Sequence, residues 1–573
     1  MDGSLMIRLC LFLMLALPVG AATYYIDFDA GNDTNAGTST GAPWKTIPGT
    51  RNTGNTDWQA TDWGSATINS GNKAPAGTVF QIKPTTTHDS TDGGKILIDS
   101  TYYDSDATAA NPIKFVADQG WAAGTVTIDG TGITAPVGFG LISSDRIPGM
   151  EWDGEVTDGF LIQDSPYNAI VFNTADGLII GTDPMLDGAV LKNLKIFNCG
   201  TTYTGGDNQV GVVLFEHHQN ILVDNVEIDG NDLYLCGLWF GNSYRGSTGT
   251  VSNTTIHDFS GTDNGGNGIL SHNGFNTFSN VTVYGCNKGF DLGEENSQDV
   301  YLEYTIINCL FYGNVTGFWS SGAAGRTENM KLYVINSIFR DNTLHGIRNY
   351  SGGPYQTYLV HNTFDNNGTD GNQESGSIRI HPDGCNEEGA FDAFLYNNIF
   401  FKPAGELNYI NYYIGDATGG CDTDFDLDSD YNSWVDNTNN VSAVFARTAY
   451  SSCGCRATGI NYTYDYNSDG PGNNTGNWYT DDDEPGNGTF HVNSDANSKT
   501  SDDVPFTNVA SDDFTLTTVY PGTDISGKPW YTSLMGTDRA GIPRTSWDMG
   551  AYEFGYWWDS HDNTTSGAKI AGP

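Results

Sequence analysis

From about residue 190 onward the chain alternates apolar and polar residues in short bursts, and the bursts recur. The segments LKNLKIFNCG, VDNVEIDGN, VSNTTIHDF, FSNVTVYGC, IINCLFYGN, VINSIFRDN, LVHNTF and LYNNIFF share one pattern. Their equivalent positions are Asn193, Asn225, Asn253, Asn280, Asn308, Asn336, His361 and Asn397, so the steps are 32, 28, 27, 28, 28, 25 and 36 residues. Alternation with period two is strand periodicity. A second series interleaves with the first: GVVLFEHH, GLWFGNS, GILSHNG, GFDLGEE, GFWSSGA, GIRNYSG and GSIRIHP, beginning at Gly211, Gly237, Gly268, Gly289, Gly317, Gly346 and Gly376. Each repeat therefore predicts at least two short strands separated by Gly and Asn turns. One such coil cannot bury its own inner face, whereas stacked coils can, with ladders of like residues along the axis. Asn repeated at one turn is expected to bond to the Asn of the next coil. The N-x-[ST] triplets at Asn253, Asn280 and Asn314 are read as part of that ladder before they are read as glycosylation sites.

Before the repeats, Arg8 precedes an apolar run from Leu9 to Pro18, and Val19-Gly20-Ala21 supplies small residues for cleavage. Residues 1–21 are expected to be a signal peptide. No later segment approaches the roughly 18 uninterrupted apolar residues of a membrane span. The expected location is secreted, extracellular or periplasmic, with no membrane span. Residues 22–157 are expected to form an N-terminal cap and first coils, 158–405 the regular solenoid, 406–510 a loop-rich acidic segment, 511–556 closing coils and 557–573 a tail.

Two end motifs carry a resemblance. TYYIDFDAGNDTNAGTSTGAPWKTI, from Thr23 to Ile47, looks like the entry motif of secreted β-helix proteins, and DFTLTTVYPGTDISG with DRAGIPRTSWDMGAYEF looks like their terminal motif. With the repeats between them, the chain resembles the right-handed parallel β-helix (pectate-lyase-like) superfamily. That resemblance implies an all-β, right-handed parallel β-helix solenoid with irregular C-terminal coils. It implies no single function, because the superfamily includes lyases, hydrolases, epimerases and non-catalytic surface proteins.

Composition changes the picture in three ways. With 72 glycines, 38% hydrophobic and 16% charged residues, the chain is too apolar for a disordered one. A formal net charge of −44 repels nucleic acid. It also means that a polyanionic substrate would need bound cations or a local cluster of Arg to reverse the field. Nine cysteines are present. Cys199, Cys236, Cys286 and Cys309 are read as small buried residues of the coils. Cys385, Cys421, Cys453 and Cys455 lie in the loop-rich half, where export permits disulfides.

Candidate chemistry follows from the second strand series. If the apolar residue after each Gly points inward, the next points outward. The outward column then reads Trp239, Leu270, Asp291, Trp319 and Arg348. His272, Ser321 and Tyr350 follow two residues further along, with Glu294, Glu295, Arg379 and His381 near the same level. Trp faces suit sugar rings, and charged groups fix hydroxyls or carboxylates. Three readings fit. In a polysaccharide lyase acting on a uronic-acid polymer, Arg348 would hold the carboxylate. Asp291, Glu294 and Glu295 would hold Ca²⁺, and His272 or Tyr350 would be the base. Lys288 is a further candidate, since many β-helix lyases use Lys or Arg. In a glycoside hydrolase, Asp291 would pair with Glu294 or Glu295. The third reading is a glycan-binding or cell-surface rod without catalysis.

Two acidic runs outside the column are expected to stabilise loops with Ca²⁺. One comprises Asp465, Asn467 and Asp469; the other alternates Asp422, Asp424, Asp426, Asp428 and Asp430. His217-His218 is read as a turn and not as a metal pair. The expected partner is a polysaccharide, and the expected state a monomer.

Overall fold

The computed structural model describes residues 22–552. Excepted are 51–72, 134–139, 174–185, 203–210, 242–246, 294–301, 322–329, 370–375, 383–390, 403–409, 416–424, 437–444, 449–461, 465–489, 494–498 and shorter loop pieces. Glu294, Glu295, Asp465, Asn467, Asp469, Asp422, Asp424, His217 and the four C-terminal cysteines therefore lie outside the described residues, as do the signal peptide and the tail.

The chain is a parallel β-helix. A 25-stranded sheet and a 13-stranded sheet run along its length. Within a coil, strands Leu302–Ile307, Leu310–Tyr312 and Thr316–Ser321 each pair, parallel and in register, with their counterparts one repeat later, Met330–Ile335, Ile338–Arg340 and His345–Ser351. Each coil thus carries three strand columns, not only the two that the periodicity shows. Two columns merge into the larger sheet because the long strands Leu186–Phe197 and His218–Leu233 run through both. Parallel stacking in the smaller sheet stops at Phe445–Thr448, which pairs antiparallel with Tyr462–Tyr464.

The turns explain the Asn column. Asn193, Asn225, Asn253, Asn280, Asn308, Asn336, His361 and Asn397 all have φ between 50 and 58°. This is left-handed backbone that Asn tolerates better than most side-chain-bearing residues. Some of them also bond along the axis, as Asn225 Nδ2 does to Asn193 Oδ1 (2.7 Å). The buried Asn ladders lie elsewhere. Asn314, Asn342 and Asn367 form one (3.2 and 2.7 Å between side chains), and Asn362, Asn398 and Asn432 another (3.1 and 3.0 Å). Asn314 is buried in its ladder, so its N-x-[ST] triplet serves the fold.

Inside, like stacks on like. Phe311, Phe339, Phe364 and Phe400 lie 5.1, 5.3 and 4.9 Å apart with rings nearly parallel, close to the spacing of adjacent strands. Cys199, Cys236, Cys286 and Cys309 are free and buried. Burial pushes the first three thiols up to about 12 and Cys309 up to about 11, so they behave as inert core residues. His218 is buried as well, its Nδ1 2.5 Å from the Glu216 carbonyl oxygen.

The terminal motif, read above as closing coils, is found alongside the stack. Phe506–Asn508 and Asp513–Leu516 form their own antiparallel pair. Phe506, Phe514, Leu516, Met549 and Tyr552 pack against Ile338, Ile399 and Phe401 on the outside of the larger sheet. Ile525 and Met535 pack against Tyr333, Tyr358 and Tyr396. Among the described residues, no helix is long and apolar enough to cross a membrane.

Candidate functional site

The alternation expected for the smaller sheet holds. Leu238, Ile269, Phe290, Phe318, Ile347 and Ile378 all face the core with at most 1% exposure. Their neighbours form one outward ladder: Trp239 pairs with Leu270, Leu270 with Asp291, Asp291 with Trp319, Trp319 with Arg348, and Arg348 with Arg379. The register moves Arg379 into this first column. His272, Tyr350 and His381 fall one alternation further along, where Tyr350 lies between Ser321 and His381. Of these three the backbone alone is described.

The ladder has two halves. Towards the N-terminus, Val171, Leu214, Cys236, Trp239 and Leu270 make a small apolar cluster of their own, separate from the core. Trp239 is only 6% exposed, so it is packed among these residues and is not offered to solvent. Its indole lies across Gly241, where a Cβ would collide with it. Beside Gly241 is Glu216, whose carboxyl burial raises to about 7.

Towards the C-terminus the ladder is charged. Lys288 Nζ donates to Asp291 Oδ2 (2.7 Å), and Asn267 Nδ2 donates to the same oxygen (3.2 Å). The other carboxylate oxygen, Asp291 Oδ1, is buried without a hydrogen-bond partner. Lys288 Nζ also sits 4.6 Å from the Trp319 ring centroid, and the Arg348 guanidinium 3.9 Å from it. Trp319 is thus held between a cation from the preceding coil and one from the following coil. Its ring surface is engaged by these cations, so its first role is to fix Arg348. Arg379, one rung on, is 8% exposed.

A second polar ladder enters the same strands. Asn267, Lys288, Thr316 and His345 stand on adjacent rungs and are all buried. Burial first, then Arg348 and Arg379, hold the His345 imidazole well below the ordinary histidine range, so it is neutral at neutral pH. His345 escaped the sequence reading because it precedes its Gly, where side chains were not read for direction. The same holds for the pairing of Lys288 with Asp291. Position alone, one residue before each Gly of the series, would have grouped Asn267, Lys288, Thr316 and His345.

The described part of this site fits Ca²⁺ poorly. The Lys288 ammonium already occupies the cation's place on Asp291, with the Arg348 guanidinium close by. Ca²⁺ takes six to eight oxygen ligands, and here a single carboxylate stands among cations. A separate acid–histidine cluster lies on the larger sheet, where Glu227, Asp229 and His257 each offer a ligand atom within 4.8 Å of the others. Cations of the chain already sit on its carboxylates. Lys195 Nζ is 2.7 Å from Glu227 Oε1, and His257 is 3.5 Å from Glu227 Oε1 and 2.8 Å from Asp258 Oδ2.

No family model matches the sequence, and no curated protein matches it. Solved structures do. A structure titled rhamnogalacturonan lyase shares 15% identity over 68% of this chain and 85% of its own, with a TM-score of 0.39. Pectate lyase Pel9A shares 15% over 68% and 79%, with a TM-score of 0.32. The PL6 family polysaccharide lyase Pedsa3628 from Pseudopedobacter saltans shares 12% over 83% and 95%, with a TM-score of 0.33. Values this low transfer no residue and no reaction. By its own strand register the chain is a parallel β-helix, and the solved structures it resembles include polysaccharide lyases.

Proposed function

We propose that this chain is a secreted polysaccharide lyase that cleaves a uronic-acid polymer by β-elimination on the rungs from Asp291 to Arg379. One observation carries the reading. In a protein of net charge −44, Lys288, Arg348 and Arg379 stand on four consecutive coils of the smaller sheet, Lys288 beside the outward ladder and the two arginines on it. Such a cluster reverses the local field and attracts a polyanion that the rest of the surface repels. Arg348 and Arg379 would bind the uronate carboxylate and so acidify the neighbouring ring proton. Trp319 would keep Arg348 oriented. The base would come from Lys288, once substrate competes for its pairing with Asp291, or from His272 or Tyr350 at the next level of the strands. His381 would extend the binding surface. Ca²⁺ bound by Glu294, Glu295 or the loop acids Asp465, Asn467 and Asp469 would serve the loops, with no part in the elimination.

A second reading, a glycoside hydrolase, is favoured by Glu216. A carboxyl that burial raises to about 7 would hold the proton that a general acid needs, with a second carboxylate required beside it. One assay separates the two. Purified protein is incubated with a panel of uronic-acid polysaccharides while ultraviolet absorbance follows the unsaturated sugar that elimination leaves. Absorbance that rises for wild type and not for Arg348→Ala supports the lyase. Reducing ends without unsaturation, lost in Glu216→Gln, support the hydrolase. Binding without either product leaves a non-catalytic glycan binder.

A further inference from the structure

The C-terminal segment crosses four successive coils at one turn column. Arg539 Nη1 donates to the Cys309 carbonyl oxygen (2.7 Å). Asn336 Nδ2 donates to the Thr537 carbonyl oxygen (2.6 Å), and Arg544 Nη2 donates to Asn336 Oδ1 (2.8 Å). His361 Nδ1 is 3.1 Å from the Asp548 carbonyl oxygen. Gly550 N donates to the Asn397 carbonyl oxygen (2.7 Å). The segment is a strap, and the coils it clamps also carry Trp319, Arg348 and Arg379.

Seven of the eight residues in this turn column are Asn, and the eighth is His361. Its two nitrogens have opposite demands. The Asp548 carbonyl can only accept, so Nδ1 carries the proton. Nε2 then faces Asn397 Nδ2 at 3.5 Å. That amide cannot turn over. Thr523 N donates to Asn397 Oδ1 (2.8 Å), and Asn397 Nδ2 donates to the Thr523 carbonyl oxygen (2.9 Å). A second proton on His361 would therefore point at amide hydrogens. It would also place a positive charge beside Arg544, which bonds to the same Asp548 carbonyl (3.1 Å). His361, Asn397 and Asp548 are fully buried and Arg544 nearly so, so water cannot relieve the conflict.

We propose that His361 makes the strap acid-releasable: protonation of this one imidazole detaches residues 523–552 from the coils. Among the described residues, the charge that acts on it is Arg544 on the strap, and Asp548 meets it through its backbone carbonyl. The coils contribute the amides of Asn336 and Asn397. Burial, then Arg544, holds the imidazole well below the ordinary histidine range. The sign follows from linkage. The strap's hold is complete above the ordinary value of about 6.5 and is lost as pH falls towards the depressed folded value. The inference is independent of what the outer face binds.

The test is hydrogen exchange of the full chain over a descending pH series, corrected for intrinsic rates, beside His361→Asn and His361→Gln. Wild-type peptides from 523–552 are expected to lose protection by about tenfold per pH unit through the transition, while the strand Ile113–Ala117 stays protected. The variants are expected to keep the strap to lower pH. Equal pH profiles in wild type and variants would overturn the proposal. Should both variants already lose the strap at neutral pH, the wild-type profile decides alone. Strap protection that persists until Ile113–Ala117 opens also overturns it.

Discussion

Two outer ladders of this helix mix charges with aromatic rings, and they differ in one respect. On the larger sheet, Asp229, His257, Tyr284, Tyr312, Arg340 and Asp365 stand on successive rungs. His257 stacks on Tyr284 at 4.6 Å, and Tyr284 on Tyr312 at 4.8 Å. Charges there meet opposite charges: Lys195 with Glu227, His257 with Glu227 and Asp258, Arg340 with Asp341 (2.8 Å) and Asp365 (3.2 Å). On the smaller sheet, the rungs from Asp291 to Arg379 set three cations against one carboxylate among the described residues. Stacked coils repeat side chains 4.7–4.9 Å apart, so any charge left on a ladder must be answered by a neighbour or by a ligand. A ladder on which every cation meets a carboxylate is architecture. One on which cations outnumber the described carboxylates carries a field that an anionic ligand can use.

The sharpest way to break this contrast is to remove one arginine from each face. Arg348→Ala is expected to lower kcat/KM on a uronic-acid polymer by about a hundredfold or more, as loss of a charged bidentate contact does, with little change in Tm. Arg340→Ala is expected to do the reverse. It leaves Asp365, 1% exposed, without its cation, and burial already raises that carboxyl to about 7 against the pull of Arg340. Stripping one partner from a buried pair costs about 3 kcal/mol or more, which urea denaturation would read as a lower midpoint at unchanged activity. A variant pair with the two effects exchanged would reverse the assignment of the faces.

A smaller effect concerns acid stability. The hydrogen bond from His257, then Lys195, draws the Glu227 carboxyl down to about 2 despite partial burial. A depressed carboxylate stabilises the fold above its unfolded value of about 4.3 and loses that contribution as pH falls towards 2. Glu227→Gln should therefore flatten the stability curve between those values. His257 runs the other way. Burial opposes its charge, yet hydrogen bonds to Glu227 and Asp258 raise its imidazole, so its contribution is full below about 6.5 and fades as pH rises through the folded value. His257→Gln should remove that alkaline decline. The smallest expected change is Lys195→Met. Its partly exposed pair with Glu227 is worth about 1 kcal/mol, and the difference should shrink in high salt.

Much of this is legible in the sequence. The outward ladder from Trp239 to Arg348 could be read because strand alternation is strict and a Gly stands near the start of each strand. Arg379 could be seen nearby but not placed, since Ser377 stands between Gly376 and the inward Ile378 and shifts that strand by one residue against the series. Trp239 looked presented and is packed, because outward direction says nothing of what covers a face. His345 and the pairing of Lys288 with Asp291 went unread, since at a strand's entry the turn, not the alternation, sets side-chain direction.

The division has a physical basis. Period, strand content, inward Phe and Leu, and left-handed Asn turns are local or repeating properties, so they are written in the order of residues alone. Which cation meets which ring is set by register between coils 28 or 29 residues apart. The path of the strap from Thr523 to Tyr552 joins residues up to 230 positions distant. Only the folded stack brings such pairs together, because neither spacing nor composition records how far around the helix the next rung has turned.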